Sequence, residues 1–372
     1  MWTVDSTCTG CEAPSSSKLG LRSRIGMDQG VGDAPRSLPM LVTCQAGFES
    51  YLAKELAAGG VMSTAEGPGW VRAEGQVDDL AFAHLIMRET TEIRGESVNG
   101  LAKALAEYFL EGIRDERIES AWPCVLQGPM ELLGLNRRIH AVEKALHEFL
   151  KKRLSRVAKL AVADVPREPG EVRGLFVWFN DFGCAQVSRS AQVNGQRRMA
   201  DNSLAPSRSY LKVEEAYIVL GQEPKSGEIV VDLGAAPGGW SFSAARHGAQ
   251  VIALDNGPMK GGALDHPFIE HRLEDAFRFS PPLGVTYDWL FCDMVEEPHH
   301  VIKHILEPWL AGRWCRQFVV NLKFGRVDAI KLLAELRDPA SLLSRYAPGT
   351  RIRHLFHDRE EFTLTGRVGL SE

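Results

Sequence analysis

The sequence predicts an α/β fold, with a Rossmann-like, doubly wound parallel sheet in the C-terminal half and a smaller α+β region before it. Three observations carry this. A β-branched run at residues 229–231 leads through Asp232 into a loop with Gly234, Gly238 and Gly239, and Ser241-Phe242-Ser243-Ala244-Ala245 then opens a helix. Strand, tight glycine turn and helix in that order form the first unit of such a sheet. Further apolar runs follow at residues 250–254, 268–273, 287–292 and 317–322, and each delivers a polar residue at its end. Between residues 40 and 200, short strand-like and helix-like patterns are interleaved instead, which is an α+β arrangement.

Residues 1–39 hold Ser15-Ser16-Ser17, several glycines, Pro35 and Pro39, with little apolar periodicity. They read as a disordered extension, or as a mis-assigned start with Met27 or Met40 as the true one. Cys8-Thr9-Gly10-Cys11 has no second pair or histidines beside it, so no metal site is expected there. Residues 40–95 form a small α+β unit: a strand at 41–44, an amphipathic helix from Gly47 that stops at Gly59-Gly60, a strand at 70–73 and an apolar segment at 80–87. A second unit and linker span 96–200. It opens with a helix at 101–113, where Leu101, Leu105, Phe109 and Ile113 share a face. A strand at 123–126, a long helix at 139–160 and a hairpin of 175–179 with 184–188 follow. The doubly wound domain occupies 201–372.

Composition sets wider bounds. The 372 residues, 44% hydrophobic, suffice for two or three packed domains. No apolar run approaches the roughly 20 residues of a membrane span, and no signal pattern opens the chain. Seven scattered cysteines fit reduced thiols and a cytoplasmic setting, with Cys292 and Cys315 read as packing residues. A net charge of −5 argues against indiscriminate nucleic-acid binding. Local basic clusters do not: Arg137-Arg138, Lys151-Lys152-Arg153 with Arg156 and Lys159, and Arg197-Arg198 could track phosphates.

The glycine turn is not the dinucleotide fingerprint, which would need glycine at Ala236 and no Pro237. A turn that admits a nucleoside without cradling a pyrophosphate suits S-adenosylmethionine better than NAD. Ligands of open α/β sheets bind outside the carboxyl ends of the strands. The expected pocket is Ser209, Ala236, Pro237, Gly238, Gly239, Asp255, Asp275 and Asp293. Asp255, at the tip of the second strand, is placed for ribose hydroxyls, and Asp275, after the third, for an adenine amino group. Alone, a lysine at a strand end is usually a solvated charge and an aspartate there a helix cap. Several in one order at compatible spacing are not.

On these residues the chain closely resembles the FtsJ-like class of RNA ribose 2'-O-methyltransferases, marked by a Lys-Asp-Lys-Glu tetrad. Lys212 in Arg208-Ser209-Tyr210-Leu211-Lys212, Asp293 in Cys292-Asp293-Met294-Val295-Glu296, Lys323 in Asn321-Leu322-Lys323 and Glu361 in His357-Asp358-Arg359-Glu360-Glu361 stand in the matching segments. With Asp255-Asn256-Gly257-Pro258-Met259 the resemblance narrows to the bacterial large-subunit ribosomal RNA methyltransferase M family. It is strong over residues 200–366 and weak over 40–200. It implies a ferredoxin-like piece and a THUMP RNA-binding region ahead of the methyltransferase domain, S-adenosyl-L-methionine as cofactor, and methylation of a cytidine ribose in 23S rRNA or a large-subunit assembly intermediate; no metal is expected, and the oligomeric state stays open, with a monomer favoured.

A ribose hydroxyl is a poor nucleophile at neutral pH, while a sulfonium methyl is already activated. The protein must therefore orient the hydroxyl and take its proton late. Lys323 is expected to be the base, its pKa depressed by the second lysine, with Lys212, Asp293 and Glu361 orienting it. Glu360 is the alternative to Glu361, since strand alternation turns only one of them to the crevice. Two other readings stay open: a catalytically silent protein that binds S-adenosylmethionine and RNA, and a small-molecule or NAD enzyme on the same fold.

Overall fold

The computed structural model describes residues 38–369. The expectations about disorder, the start and the Cys8–Cys11 pair lie outside them. Strands β1 (Pro39–Thr43), β2 (Ser63–Gly67), β3 (Trp70–Glu74), β4 (Leu85–Arg88), β5 (Thr91–Arg94), β6 (Trp122–Gln127), β7 (Ala161–Val162), β8 (Gly170–Phe179) and β9 (Cys184–Val193) form one sheet. Its order is β2-β3-β1-β4-β9-β8-β6-β7, with β5 also on β9. The strands on either side of residue 95 thus share a sheet, because β4 and β5 both pair with β9. Hairpin β8–β9 is antiparallel and runs further on both sides than its apolar residues suggest.

Helix α1 (Glu49–Ala58) buries Leu52, Glu55 and Leu56. Helix α2 (Val98–Gly112) is capped by Ser97, whose hydroxyl accepts the Gly100 N–H, and buries Leu101, Leu105 and Phe109 on one face. Helix α3 (Leu135–Arg153) buries Leu135, Ile139, Val142, Leu146 and Leu150. The single long helix expected at 139–160 is not formed. The chain breaks at Leu154 and continues as α4 (Ser155–Lys159). No glycine or proline marks that break. It is set by tertiary bonds, with Trp122 donating its ring N–H to the Val157 carbonyl and its backbone N–H to Leu160.

The second sheet follows the doubly wound plan. Strands β10 (Ile229–Leu233), β11 (Gln250–Leu254), β12 (Ile269–Arg272), β13 (Tyr287–Cys292) and β14 (Cys315–Lys323) are parallel, and β15 (Arg351–Arg353) and β16 (Glu361–Arg367) close one side in the order β12-β11-β10-β13-β14-β16-β15. Strand β16 is antiparallel to β14, with Lys323 opposite Glu361. Alternation splits the strands between two cores. Val230, Trp289, Phe291 and Val319 pack under α5 (Tyr210–Leu220) and α6 (Gly239–Arg246). Val231, Leu233, Leu290, Phe318, Val320 and Leu322 face α7 (Pro298–Val301), α8 (Glu307–Ala311), α9 (Ala329–Arg337) and α10 (Leu342–Tyr346).

The N-terminal sheet joins that second core. Met40, Val42, Leu52, Leu56 and Phe82 belong to the same apolar cluster as Phe324 and Phe362. Phe82 lies 5.2 Å from Phe362 and 5.9 Å from Phe324 between ring centroids. Residues 80–84 carry this contact as a buried loop, where the sequence suggested one apolar segment through 87. Its backbone is satisfied from several sides. Glu55 accepts the Ala81 and Phe82 N–H groups, His354 donates its N–H to Ala81, and Asn194 and Gln196 donate to Ala83. Glu55 also takes Arg337 of α9 at 2.8 Å.

Phe82→Ala is expected to cost about 3–5 kcal/mol, the usual loss for a fully buried phenylalanine, and Phe82→Leu markedly less. Denaturant unfolding of the two variants measures this.

Candidate active site

Four elements bring the site together. Lys212 lies in the first turn of α5, which is tied to α6 by the Trp240 ring N–H donating to the Ser209 carbonyl. Asp293 follows β13, Lys323 ends β14, and Glu361 begins β16. Lys323 donates to Asp293 Oδ1 and Glu361 Oε2, both at 2.6 Å. Lys212 Nζ stands 2.6 Å from Glu361 Oε1 and 3.4 Å from Asp293 Oδ2. Each carboxylate is shared by both lysines, so positive and negative groups alternate around a closed ring. Glu361, and not Glu360, faces this ring: Glu361 is buried, whereas the Glu360 side chain is exposed and lies against Gly325.

Burial alone lowers the Lys323 pKa, but Asp293 and Glu361 raise it more, and the net direction is upward. The expectation that the second lysine leaves the pKa of Lys323 depressed does not hold for the protein by itself. Two carboxylates in contact outweigh the burial that opposes them. The ring therefore favours the protonated form of Lys323.

Beside the ring lies the glycine turn. Gly234 and Ala235 donate their N–H groups to the Leu254 carbonyl, which fixes the turn to the end of β11. Asp255 accepts the Ala236 N–H at 3.0 Å and the Gly257 N–H at 2.7 Å, so its carboxylate is held at the tip of β11. Gly238 has φ +102, and a Cβ there would stand 2.5 Å from Ala263 Cβ and 2.8 Å from Met259 Sδ. A Cβ on Gly239 would meet the Ser207 and Ser209 hydroxyls at 2.9 Å. Gly238 and Gly239 thus let the turn pack directly against these neighbours, which a Cβ at either position would displace. Pro237 sits within the turn. Asp275 caps a short turn after β12 by accepting the Phe277 N–H, and pairs with Arg278 at 3.3 Å.

Sequence reasoning missed the residues behind the ring. Asp232 is fully buried, takes the Ser241 hydroxyl at 2.6 Å, and is pushed by burial to about 7. Asn321 and Thr363 are buried on the same strand faces as Lys323 and Glu361, two residues away from each. The period of two would have found them. Among the described residues, no group of three or more His, Cys, Asp or Glu could hold a metal ion.

Burial raises the pKa of Glu361, but Lys212 and Lys323 lower it further, to about 2 against an ordinary 4.5. A carboxylate held low in the folded state binds fewer protons than the unfolded chain. Its contribution is therefore complete above the unfolded value and is lost as pH falls through the folded one. Glu361→Gln is expected to lose roughly 3–5 kcal/mol at neutral pH, the scale for breaking a buried ion pair. By urea unfolding, the gap to wild type should close as pH falls from the ordinary 4.5 towards about 2.

Residues 205–336 match the FtsJ-like methyltransferase model, and residues 39–92 match that of the RlmL ferredoxin-like domain. A ribosomal RNA large subunit methyltransferase M from Pectobacterium atrosepticum is 32% identical over 362 residues, 87% of this chain and 95% of that protein. The protein of that name from Laribacter hongkongensis is 44% identical over 169 residues, but the match spans only 43% of this chain and 47% of that relative. A possible methylase from Clostridium difficile 630 aligns over 90% of the chain at 12% identity, with a TM-score of 0.35, too distant to inform the site. The Pectobacterium match runs almost end to end, and the chain belongs to the ribosomal RNA large subunit methyltransferase M family, with an FtsJ-like methyltransferase domain behind a ferredoxin-like one.

Proposed function

We propose that the protein transfers the methyl group of S-adenosyl-L-methionine to the ribose 2'-hydroxyl of a cytidine in 23S ribosomal RNA. The observation that carries this reading is the closed ring of Lys212, Asp293, Lys323 and Glu361 at the carboxyl edge of the parallel sheet, beside the glycine turn. The cytidine and the 23S molecule come from the family resemblance. Ribosomal RNA as the substrate class is supported by the names of the relatives.

The cofactor supplies an activated methyl and one positive charge. Ser209, Ala236, Pro237, Gly238 and Gly239 would hold it, with Asp255 placed for its ribose hydroxyls, Asp275 for its adenine amino group, and Asp293 between them and the ring. Lys323 in its neutral form would orient the 2'-hydroxyl and take its proton as the methyl passes from the sulfonium sulfur to the ribose oxygen, leaving a neutral thioether. An added cation beside the ring, with water excluded, lowers the Lys323 pKa towards that form. Lys212 supplies the standing part of the same repulsion, and Asp293 and Glu361 hold both lysines in place.

Residues 96–200 form the RNA-binding, THUMP-like part of this reading. Lys151, Lys152, Arg153, Arg156 and Lys159 are exposed at the end of α3 and on α4, where they can follow phosphates without reading sequence. The substrate is 23S rRNA or a large-subunit assembly intermediate, met by a monomer in the cytoplasm. No helix of the described residues is long and apolar enough to cross a membrane.

Lys323→Ala is expected to keep S-adenosylmethionine affinity but to transfer methyl at least about 10²-fold more slowly. Lys323→Arg should not restore the rate, because a guanidinium does not give up its proton. Asp255→Ala should weaken cofactor binding by roughly 1–3 kcal/mol in calorimetry. Ribose-methylation mapping of rRNA from a strain lacking the gene tests the reaction itself. One cytidine 2'-O-methyl should vanish and return with the wild-type gene but not with Lys323→Ala. An unchanged map would leave a silent S-adenosylmethionine-binding protein as the reading.

A further inference from the structure

Behind the ring, a line of buried polar groups runs from Asp293 into the protein. Asn321 Nδ2 donates to Asp293 Oδ1 at 3.3 Å. The Thr363 hydroxyl lies 2.7 Å from Asn321 Oδ1, and 2.9 and 3.1 Å from the two oxygens of Asp358. Asn321, Thr363 and Asp358 are at most 2% exposed, so their hydrogen bonds are made within the protein.

The direction of this line follows from counting hydrogens. Asp293 contacts both lysines and is a carboxylate, which only accepts. Asn321 must therefore turn its amide N–H to Asp293 and its amide oxygen to Thr363. The opposite orientation would set two oxygens against each other at the ring. Thr363 has one hydrogen and must give it to Asn321 Oδ1. Its oxygen then faces Asp358 with nothing left to donate. As a carboxylate, Asp358 would hold a second acceptor about 3 Å from that oxygen, a buried contact that costs free energy. A proton on Asp358 removes the conflict, since the acid then donates to Thr363.

We propose that Asp358 is a neutral carboxylic acid that positions Asp293 through Thr363 and Asn321, in one continuous run of donors. The proposal rests on the reading of the ring as the catalytic site, and it makes Asp358, Thr363 and Asn321 positioning residues. The surroundings agree. Asp358 Oδ2 accepts the Leu355 N–H at 2.9 Å, which leaves Oδ1 for the proton. The titratable groups facing it are Glu361 on β16, Lys212 on α5 and Glu215, also on α5, whose own pKa burial pushes well above the usual carboxylate range. Burial and Glu361 push the Asp358 pKa up to about 8, against the pull of Lys212.

Neutrality also matters to the ring. Two lysines and two carboxylates balance, and a third anion behind Glu361 would draw the lysines more firmly into their protonated form. A protonated Asp358 contributes a hydrogen bond and no charge.

Single-turnover methyl transfer to 23S rRNA from a strain lacking the gene, with the full chain and S-adenosylmethionine, tests the functional half. Thr363→Val is expected to slow transfer about tenfold, the worth of one buried hydrogen bond, with cofactor affinity unchanged. Thr363→Ser should recover most of that loss. Asp358→Ala should be slow as well. Asp358→Asn should recover most of its rate, because an amide can donate to Thr363 and accept from Leu355 as the acid does. An Asp358→Asn enzyme as slow as Asp358→Ala would overturn the proposal, since it would show that a charge is required. Infrared difference spectra at neutral pH, wild type against Asp358→Asn, test protonation directly and need no activity. A protonated-carboxyl stretch lost in the variant is expected, and identical spectra would overturn the proposal. Full activity of Lys323→Ala would instead refute the catalytic reading of the ring, and the infrared result would still stand or fall by itself.

Discussion

The rest of the structure depends on the alternation of charge around Lys212, Asp293, Lys323 and Glu361. Four ionisable groups, each at most a quarter exposed, can sit together only if every one is paired. That requirement fixes where four elements end. The first turn of α5 must reach the sheet edge, β13 and β14 must stop in step, and β16 must enter antiparallel so that Glu361 falls opposite Lys323. An error of one residue in the β14–β16 register would turn Glu361 to the far face, where Phe362 now lies.

That far face is where the N-terminal unit acts. Side chains alternate, so the residues following Lys323 and Glu361 point away from the ring into a cluster of Phe324, Phe362, Tyr51 and Phe82. The ferredoxin-like part therefore forms the back wall of the strands that carry the ring, as well as extending the sheet that carries the basic helix end. The Glu55–Arg337 pair and the bonds around residues 80–84 hold that wall in place. Positioning at this precision needs a supporting layer whose own side chains are locked by packing and hydrogen bonds.

Much of this was legible in the residues. The central strands of the parallel sheet were readable as apolar runs, because strands buried on both faces carry near-continuous hydrophobic sequence, whereas the edge strand β12 is mostly polar. The tetrad was legible because each member stands at an element end with a recognisable local string. What was hidden has physical reasons. Strands β2 and β5 lie outside the buried centre, are mostly polar and carry no apolar alternation. The break at Leu154 answers to Trp122, more than thirty residues away. The choice between Glu360 and Glu361 depended on register with β14, which no local pattern contains. The balance of charge on Lys323 was misjudged for a related reason: sequence shows that two lysines are present but not that both carboxylates touch Lys323.

The central claim is that the charge balance of the ring sets the basicity of Lys323. The pH dependence of single-turnover methyl transfer in Lys212→Ala tests it most directly. Removing the neighbouring cation leaves Lys323 between two carboxylates, so its pKa should rise and the rate profile should move to more alkaline pH than in wild type. An unchanged profile, or one moved towards acid, would contradict the account.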